Sequence, residues 1–373
     1  MKHLLLLGAG HAHIQVLKDL GERPHDLWAV TLVTPFPWLT YSGMVPGHIA
    51  GHYTIEECTI DIAGLAALAL AQTRWTAVVR IDALARRVYC ASGPPLPYDI
   101  LSIDVGSLTA NVDVPGVAHH AIAMRPLERA IKGWNDVLSR ARDGKVGAVT
   151  VAGAGAAGIE MALAMEHRLR NEMGGAAPHV RVVTDAPRPM PEFPYGARRR
   201  LQKWLRRRGI GLHLANAVTE VGPGFVRTAH GFEFVSDAVF WAAGAAPHPW
   251  IRTAGFTTDD RGYLLTNDFL QSVSHPEVFG AGDCATQQGR AYPKAGVFAV
   301  RGAPILAANL RAAIAEGEMQ PHATSRRYLA LVSTGKRHAV GVWNGAAWEG
   351  DWVWRWKDRI DRRFVASYAP PGG

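Results

Sequence analysis

VGAVTVAGAGAAGIEMALAM, residues 146–165, decides the fold. An apolar, β-branched run enters a turn with glycines at 153, 155 and 158, and apolar residues then recur at helical spacing. A GxGxxG turn between a strand and a helix has a physical reason at each glycine. Gly153 permits the tight turn, Gly155 lets backbone approach a pyrophosphate at the helix N-terminus, and Gly158 lets helix and strand pack closely. A second apolar run, VRVVT (180–184), completes a βαβ unit. Earlier in the chain, KHLLLLGAGHAHIQVL (2–17) followed by AVTLVT (29–34) repeats the same order of parts. Apolar strands alternating with helices imply parallel sheets buried on both faces. The fold class is α/β, with two Rossmann-like units.

Further out, PPLPYDILSIDVG (94–106) and VSDAVFWAAGAAPHP (235–249) each read as a Pro-rich or polar turn followed by a strand, and HPEVFGAGDCA (275–285) as a short strand entering a Gly-rich turn. KAGVFAVRGAPILAANLRAAIAEG (294–317) has helical period, with Pro304 as a kink or boundary. Five of the 12 tryptophans lie between Trp343 and Trp356. That segment reads as a hairpin around Asn344–Gly345 and a basic, aromatic helix from Asp351.

Composition bounds the function. At 48% hydrophobic and 19% charged residues the 373-residue chain is too apolar for disorder. The longest mostly apolar stretch seen in the sequence, 60–71, is short of the roughly 20 residues a membrane span needs. The opening MKHLLLLGAGHAH imitates a signal peptide, but its apolar run stops after four leucines and reads as a buried strand, so a cytoplasmic chain is expected. Cys58, Cys90 and Cys284 form no CxxC pair and no zinc pattern. A net charge of +8 favours anionic ligands without choosing among them. The basic run RRRLQKWLRRRG (198–209) reads as a solvated face rather than a nucleic-acid contact.

The two glycine turns differ. In the first, Gly8 and Gly10 are present, but His13 stands at the third glycine position and the following strand ends at Thr34, where an acidic ribose ligand is usual. His11 and His13 read as a phosphate contact and a packed helix residue, with no metal site. In the second, the fingerprint is complete. Thr184 or Asp185 suits a ribose hydroxyl and Arg188 a 2′-phosphate, which leaves NADH and NADPH both open.

The combination of two such units with a late Gly-Ala-Gly-Asp turn resembles the FAD-dependent pyridine nucleotide-disulfide oxidoreductase superfamily, in its type II NADH dehydrogenase branch. GHAH (10–13), YSGMVPGHIAGHY (41–53), YPKAGVFAVRGAP (292–304) and EGDWVWRWKDRIDRRF (349–364) are similar to a flavoprotein domain fused to selenophosphate synthetase in some bacteria. The resemblance implies an FAD-binding domain over 1–117 and 250–320, an NAD(P)-binding domain over 118–249 and a C-terminal module over 321–373. It implies that Gly8, Gly10 and His11 face the FAD pyrophosphate, with Thr34 at the ribose position. Tyr41, Ser42, Gly43 and Pro46 would lie along the adenosine-to-flavin path. Asp283, after Gly282, would bond the ribityl or pyrophosphate part, and Lys294 with Ala295, Gly296 and Val297 would approach the flavin pyrimidine. Gly106 and Gly244 would belong to the cofactor-binding turns. Glu160 would position nicotinamide or move a proton.

Departures from the pattern put the acceptor in doubt more than the flavin. No redox-active cysteine pair exists, and Arg301 stands where the type II dehydrogenases have glutamines beside their quinone. The expected activity is electron transfer from NADH or NADPH through FAD to a quinone-like or other small acceptor. A selenium- or sulfur-linked flavin reductase and a flavin-binding interaction protein are the alternatives. Trp352, Trp356, Ile360 and Phe364 recur every four residues, flanked by Arg355, Lys357, Arg359, Arg362 and Arg363. This stripe suits peripheral contact with the inner face of a membrane, a cover over the flavin domain, or a homodimer.

Overall fold

Leu4, Leu5, Leu6 and Leu7 are all fully buried, because the strand Lys2–Leu7 is central in a five-stranded parallel sheet. A computed structural model, describing residues 2–23, 28–290 and 292–369, gives the order of that sheet. It runs Val278–Gly280, Ile100–Ile103, Lys2–Leu7, Trp28–Thr34, Gln72–Trp75. A second parallel sheet runs Ala121–Ala123, Ala238–Trp241, Ala148–Ala152, His179–Val183, Gly211–His213. Each glycine turn thus leaves a central strand. The chain leaves the first sheet after Ile103, builds the second, and returns to add Val278–Gly280.

Helices His11–Glu22 and Gly296–Ala315 bury Ile14, Leu17, Leu306 and Leu310 in one core with Leu4 and Leu6. The second of these helices runs unbroken through Pro304, so that proline is not a boundary. Pro304 is exposed, so the hydrogen bond it removes lies on the solvent side. Among the described residues this helix alone is long and apolar enough to cross a membrane, with mean hydropathy 1.3. Half of that window is buried inside the protein, which makes it a core helix. Arg301 and Arg311 interrupt its apolar run in the sequence.

Strands Ala330–Thr334, Lys336–Trp343 and Ala346–Gly350 form an antiparallel sheet. Its hairpin turns at Asn344 and Gly345, both at positive φ (50° and 85°), the backbone an Asn-Gly pair favours. Helix Asp351–Ala366 follows and buries Val353, Trp354, Lys357 and Asp361. Trp352 (51%), Trp356 (38%) and Ile360 (39%) are exposed, with Arg355, Arg359 and Arg363 exposed beside them. Two readings of the stripe need correction. Lys357 is buried rather than a flanking surface cation, and Phe364 turns inward against Tyr41, ring centroids 4.6 Å apart. The basic run forms helix Tyr195–Arg207, which buries Ala197, Leu201 and Leu205. Trp204 Nε1 on this helix donates to Glu349 at 2.9 Å.

Candidate active site

The first glycine turn is wired around Asp104, which carries no motif of its own in the sequence. Its carboxylate accepts from the backbone N–H groups of Ala12 (2.7 Å) and His13 (3.0 Å). The amides of Ala12 and His13 are therefore taken by protein, whereas the expected phosphate contacts are Gly8, Gly10 and His11. A Cβ at Gly10 would sit 2.4 Å from Asp104 Oδ1, and one at Gly282 2.5 Å from the same atom. Burial pushes the Asp104 carboxyl up to about 6, against the amide bonds and the His11 charge that lower it.

His13 is fully buried. Its ring lies 2.6 Å from Gly8 O and 2.8 Å from Ser102 Oγ, and burial lowers its pKa to about 4. It is a packed, neutral residue. His11 is different: its Nε2 is buried without a hydrogen-bond partner. Its ring faces Gly296, Tyr41 (5.7 Å) and Phe364 (5.9 Å). Ala295 caps helix Gly296–Ala315 with no side-chain bond, so Gly296 and Val297 open a helix N-terminus beside His11.

Asp283 meets Arg125 Nη1 at 2.7 Å, and Ser107 Oγ donates to it at 3.4 Å. Arg125 also bonds Ser107 and precedes the first helix of the second unit, Leu127–Arg142. Lys294 Nζ donates to Ala285 O (2.6 Å) and Thr286 Oγ1 (3.1 Å) and lies over the Tyr263 ring. Burial lowers its pKa, with Asp283 and Asp259 opposing. Lys294 is thus a part-buried, hydrogen-bonded cation and not a solvated turn lysine. Thr34 is buried at its strand end, Ser42 is exposed, and Pro46 is buried in the short helix Val45–Ile49. Gly106 and Gly244 turn the backbone at φ 68° and 97°. Arg301 Nη1 donates to Ser325 O and Arg327 O, which ties this helix to the segment before Ala330–Thr334.

The second turn has no counterpart to Asp104. A Cβ at Gly155 would meet nothing within 4 Å, whereas one at Gly158 would lie 2.1 Å from Gly153 O. Helix Ala156–Met173 carries no side-chain cap and no acid in its first turn. Thr184 is buried; its hydroxyl donates to Asp185 (3.3 Å) and accepts from Ala186 N (3.2 Å).

Glu160 joins the two halves. Its carboxylate accepts from Ser333 N at 2.7 Å, and burial raises its pKa, with Lys357 the strongest opposing influence. Lys357 Nζ donates to Gly43 O and to Asp361, and Tyr41 OH donates to Asp361 at 3.3 Å. Burial pulls the Lys357 pKa down, but Asp361 and Glu160 outweigh it and raise it. A fixed cation therefore stands between two acids beside the Tyr41–Gly43 loop. Among the described residues, no group of three His, Cys, Asp or Glu side chains is placed to hold a metal ion.

The family model for pyridine nucleotide-disulphide oxidoreductases matches residues 2–303. The chain belongs to that family. It is 21% identical over 296 residues to the NADH dehydrogenase-like protein YutJ of Bacillus subtilis, covering 77% of each chain. It is 25% identical over 301 residues to the type II NADH:quinone oxidoreductase of Staphylococcus saprophyticus, covering 76% of this chain and 74% of that one. The structure of NDH2 from Plasmodium falciparum in complex with NADH superposes with a TM-score of 0.82 at 14% identity, over 98% and 97% of the two chains. The protein is an NAD(P)H-dependent flavoprotein oxidoreductase, and its cofactors are FAD and a nicotinamide dinucleotide.

The residues present fit both groups. The unpartnered, buried His11 Nε2 suits an anion at the first turn, and the uncapped Gly296 helix suits a negatively charged group beside it. The open space before Gly155 suits a dinucleotide backbone at the second. Asp104 and Arg125 had no local signal, because they sit in no glycine motif and their partners are far away in sequence. Lys357 and Asp361 pair with each other at helical spacing, but their bonds to Gly43 and Tyr41 reach across the chain.

Proposed function

We propose that the chain carries electrons from NADH or NADPH through FAD to a quinone-like acceptor reached from a membrane surface. The observation that carries this reading is helix Asp351–Ala366. One face closes on Tyr41, Gly43 and Glu160 through Lys357, Asp361 and Phe364. The other presents Trp352, Trp356 and Ile360 among arginines, the amphipathic pattern that lies at headgroup level on anionic lipid. The 74% of the Staphylococcus NADH:quinone oxidoreductase that aligns with this chain supports the same acceptor class.

In this reading residues 1–117 and 250–320 hold FAD, and residues 118–249 hold the nicotinamide dinucleotide. Bound FAD supplies two-electron chemistry between nicotinamide and acceptor. Gly8, Gly10 and His11 would hold its diphosphate and Asp283 its ribityl or pyrophosphate part, and Lys294 with the Ala295–Val297 backbone would stabilise negative charge at its pyrimidine end. The Gly153–Gly158 turn holds the second dinucleotide. Glu160, whose pKa burial raises against the opposing pull of Lys357, positions the nicotinamide amide or holds a proton, and the Ser333 amide fixes its orientation. A sulfur or selenium relay is disfavoured, because burial pushes both the Cys58 and Cys284 thiols up to about 12.

The test is anaerobic reduction of the yellow protein by NADH and NADPH, followed by steady-state turnover with quinones against sulfur and selenium compounds. Rapid bleaching with quinone turnover is expected. Turnover restricted to sulfur or selenium acceptors would replace the acceptor, and no bleaching would leave only a flavin-binding protein.

A further inference from the structure

The rim of the second dinucleotide site carries a choice that the family assignment leaves open. In a Rossmann unit a carboxylate at the end of the second strand bonds the ribose 2′-hydroxyl, and the same carboxylate repels a 2′-phosphate. Here that position is Thr184, an uncharged residue whose hydroxyl is already engaged with Asp185 and Ala186 N. The rim segment that follows does not swing free. Met190 N donates to Ala154 O at 2.8 Å, inside the glycine turn, and Ala215 N donates to Ala186 O at 3.0 Å. Met190 itself is buried, at φ 48°. Residues 185–190 are therefore stapled against the Gly153–Gly155 turn at one end and against the neighbouring strand's loop at the other.

Arg188 lies in this stapled segment. It is exposed and makes no hydrogen bond or ion pair with a described residue. Asp185 is the acid nearest in sequence, and its carboxylate accepts the Thr184 hydroxyl. Its backbone stands two residues from the Met190–Ala154 bond that ties this segment to the glycine turn, and a planar guanidinium without a partner among the described residues matches a phosphate monoester bidentately.

We propose that the second site recognises a 2′-phosphorylated nicotinamide dinucleotide, with Arg188 as the phosphate ligand and Thr184 as the residue that admits it. This rests on the reading of that turn as the reduced-nicotinamide site. NADPH is then at least as good an electron donor as NADH.

Calorimetric titration of the oxidised holoprotein with 2′,5′-ADP and with 5′-AMP tests phosphate recognition without any electron transfer. The expected result is 2′,5′-ADP binding at least roughly tenfold tighter than 5′-AMP. Arg188→Gln should shrink that preference roughly 10- to 100-fold, the size of one charge-assisted pair, and Arg188→Lys should keep part of it. Thr184→Glu should shrink it as well. Because each result is a ratio on flavin-loaded protein, a general loss of fold does not imitate it. Equal or tighter binding of 5′-AMP, or an unchanged ratio in Arg188→Gln, overturns the proposal. NADH bleaching the flavin while NADPH and 2′,5′-ADP are ignored would sink it and leave the donor site standing. Arg188-dependent binding of 2′,5′-ADP with no bleaching by either nicotinamide would support the phosphate site and remove the donor reading.

Discussion

The two glycine turns leave equivalent central strands and open equivalent helices, yet they are wired in opposite ways. At the first, Asp104 takes the amides of Ala12 and His13, and His13 fills the space of the third glycine by bonding Gly8 O and Ser102. At the second, no described side chain caps the helix start, and a Cβ at Gly155 would meet no described atom within 4 Å. The first turn spends two of its helix amides on its own carboxylate, and the second has no such carboxylate in its helix's first turn. A shared sequence fingerprint therefore fixes the backbone path without fixing which donors face a phosphate.

The sharpest way to break this comparison is to add the same side chain to both turns. Gly10→Val drives a methyl-bearing carbon into the Asp104 carboxylate, so loss of flavin and destabilisation by about 1–3 kcal/mol or more are expected. Gly155→Val meets no protein atom, so its melting temperature and flavin absorbance should match wild type while reduction by NADH or NADPH disappears. Anaerobic stopped-flow spectra read both results. Full flavin occupancy in Gly10→Val, or undiminished reduction of Gly155→Val, would mean the turns have been assigned the wrong roles.

A smaller effect is expected one helical turn further on. Glu160→Gln keeps the shape and removes the ionisable group, so flavin content should hold while the reduction rate falls roughly tenfold or more. An unaltered rate with an unaltered pH profile would reduce Glu160 to a packing residue bonded to Ser333.

Asp104 gives the first turn a pH signature of its own. Its folded-state carboxyl lies above the ordinary 3.8, at about 6, so the folded protein holds this proton more tightly than the unfolded chain. The stabilisation is fully present below pH 4 and is lost as pH rises through 6. A rise of that size in a carboxyl pKa corresponds to about 3 kcal/mol. Urea unfolding of wild type and Asp104→Asn between pH 4 and 7.5 should show a stability difference that changes over this range in the variant's favour. A constant difference would show that Asp104 does not titrate there.

The smallest effect is expected far from both turns. Trp352→Ser combined with Trp356→Ser removes two exposed rings and should change unfolding free energy by less than about 0.5 kcal/mol. Binding to anionic liposomes at low salt should nevertheless fall. If liposome binding is unchanged and a wild-type dimer dissociates instead, the stripe is a contact between copies.

Much of this was legible in the sequence, and the boundary of what was legible is physical. The strands around Gly8 and Gly153 announced themselves because apolar runs, glycine spacing and helical period are local signals. The hairpin at Asn344–Gly345 did so for the same reason. Asp104 was invisible because a lone acid at the end of the LSIDVG strand looks like any loop entry. Its meaning appears only when the strand pairs with Lys2–Leu7 and brings the carboxylate under His11–Glu22. Lys357 was misleading because its spacing on the helix places it beside the apolar stripe, and only tertiary packing shows which flank is buried. Pro304 misled in another way: local propensity marks it as a breaker, and the packed helix overrides that preference.

The return of Val278–Gly280 to the edge of the first sheet has a consequence for synthesis. Ile100–Ile103 emerges from the ribosome after Lys2–Leu7 but long before Val278–Gly280, its partner on the other edge, and the Lys357 and Asp361 contacts to Tyr41 and Gly43 come later still. At roughly 5–20 residues per second, the nascent first half waits on the order of ten seconds or more with one sheet edge bare. Exposed parallel edges invite pairing with other chains, so that edge stays open to them until Val278–Gly280 arrives to cover it.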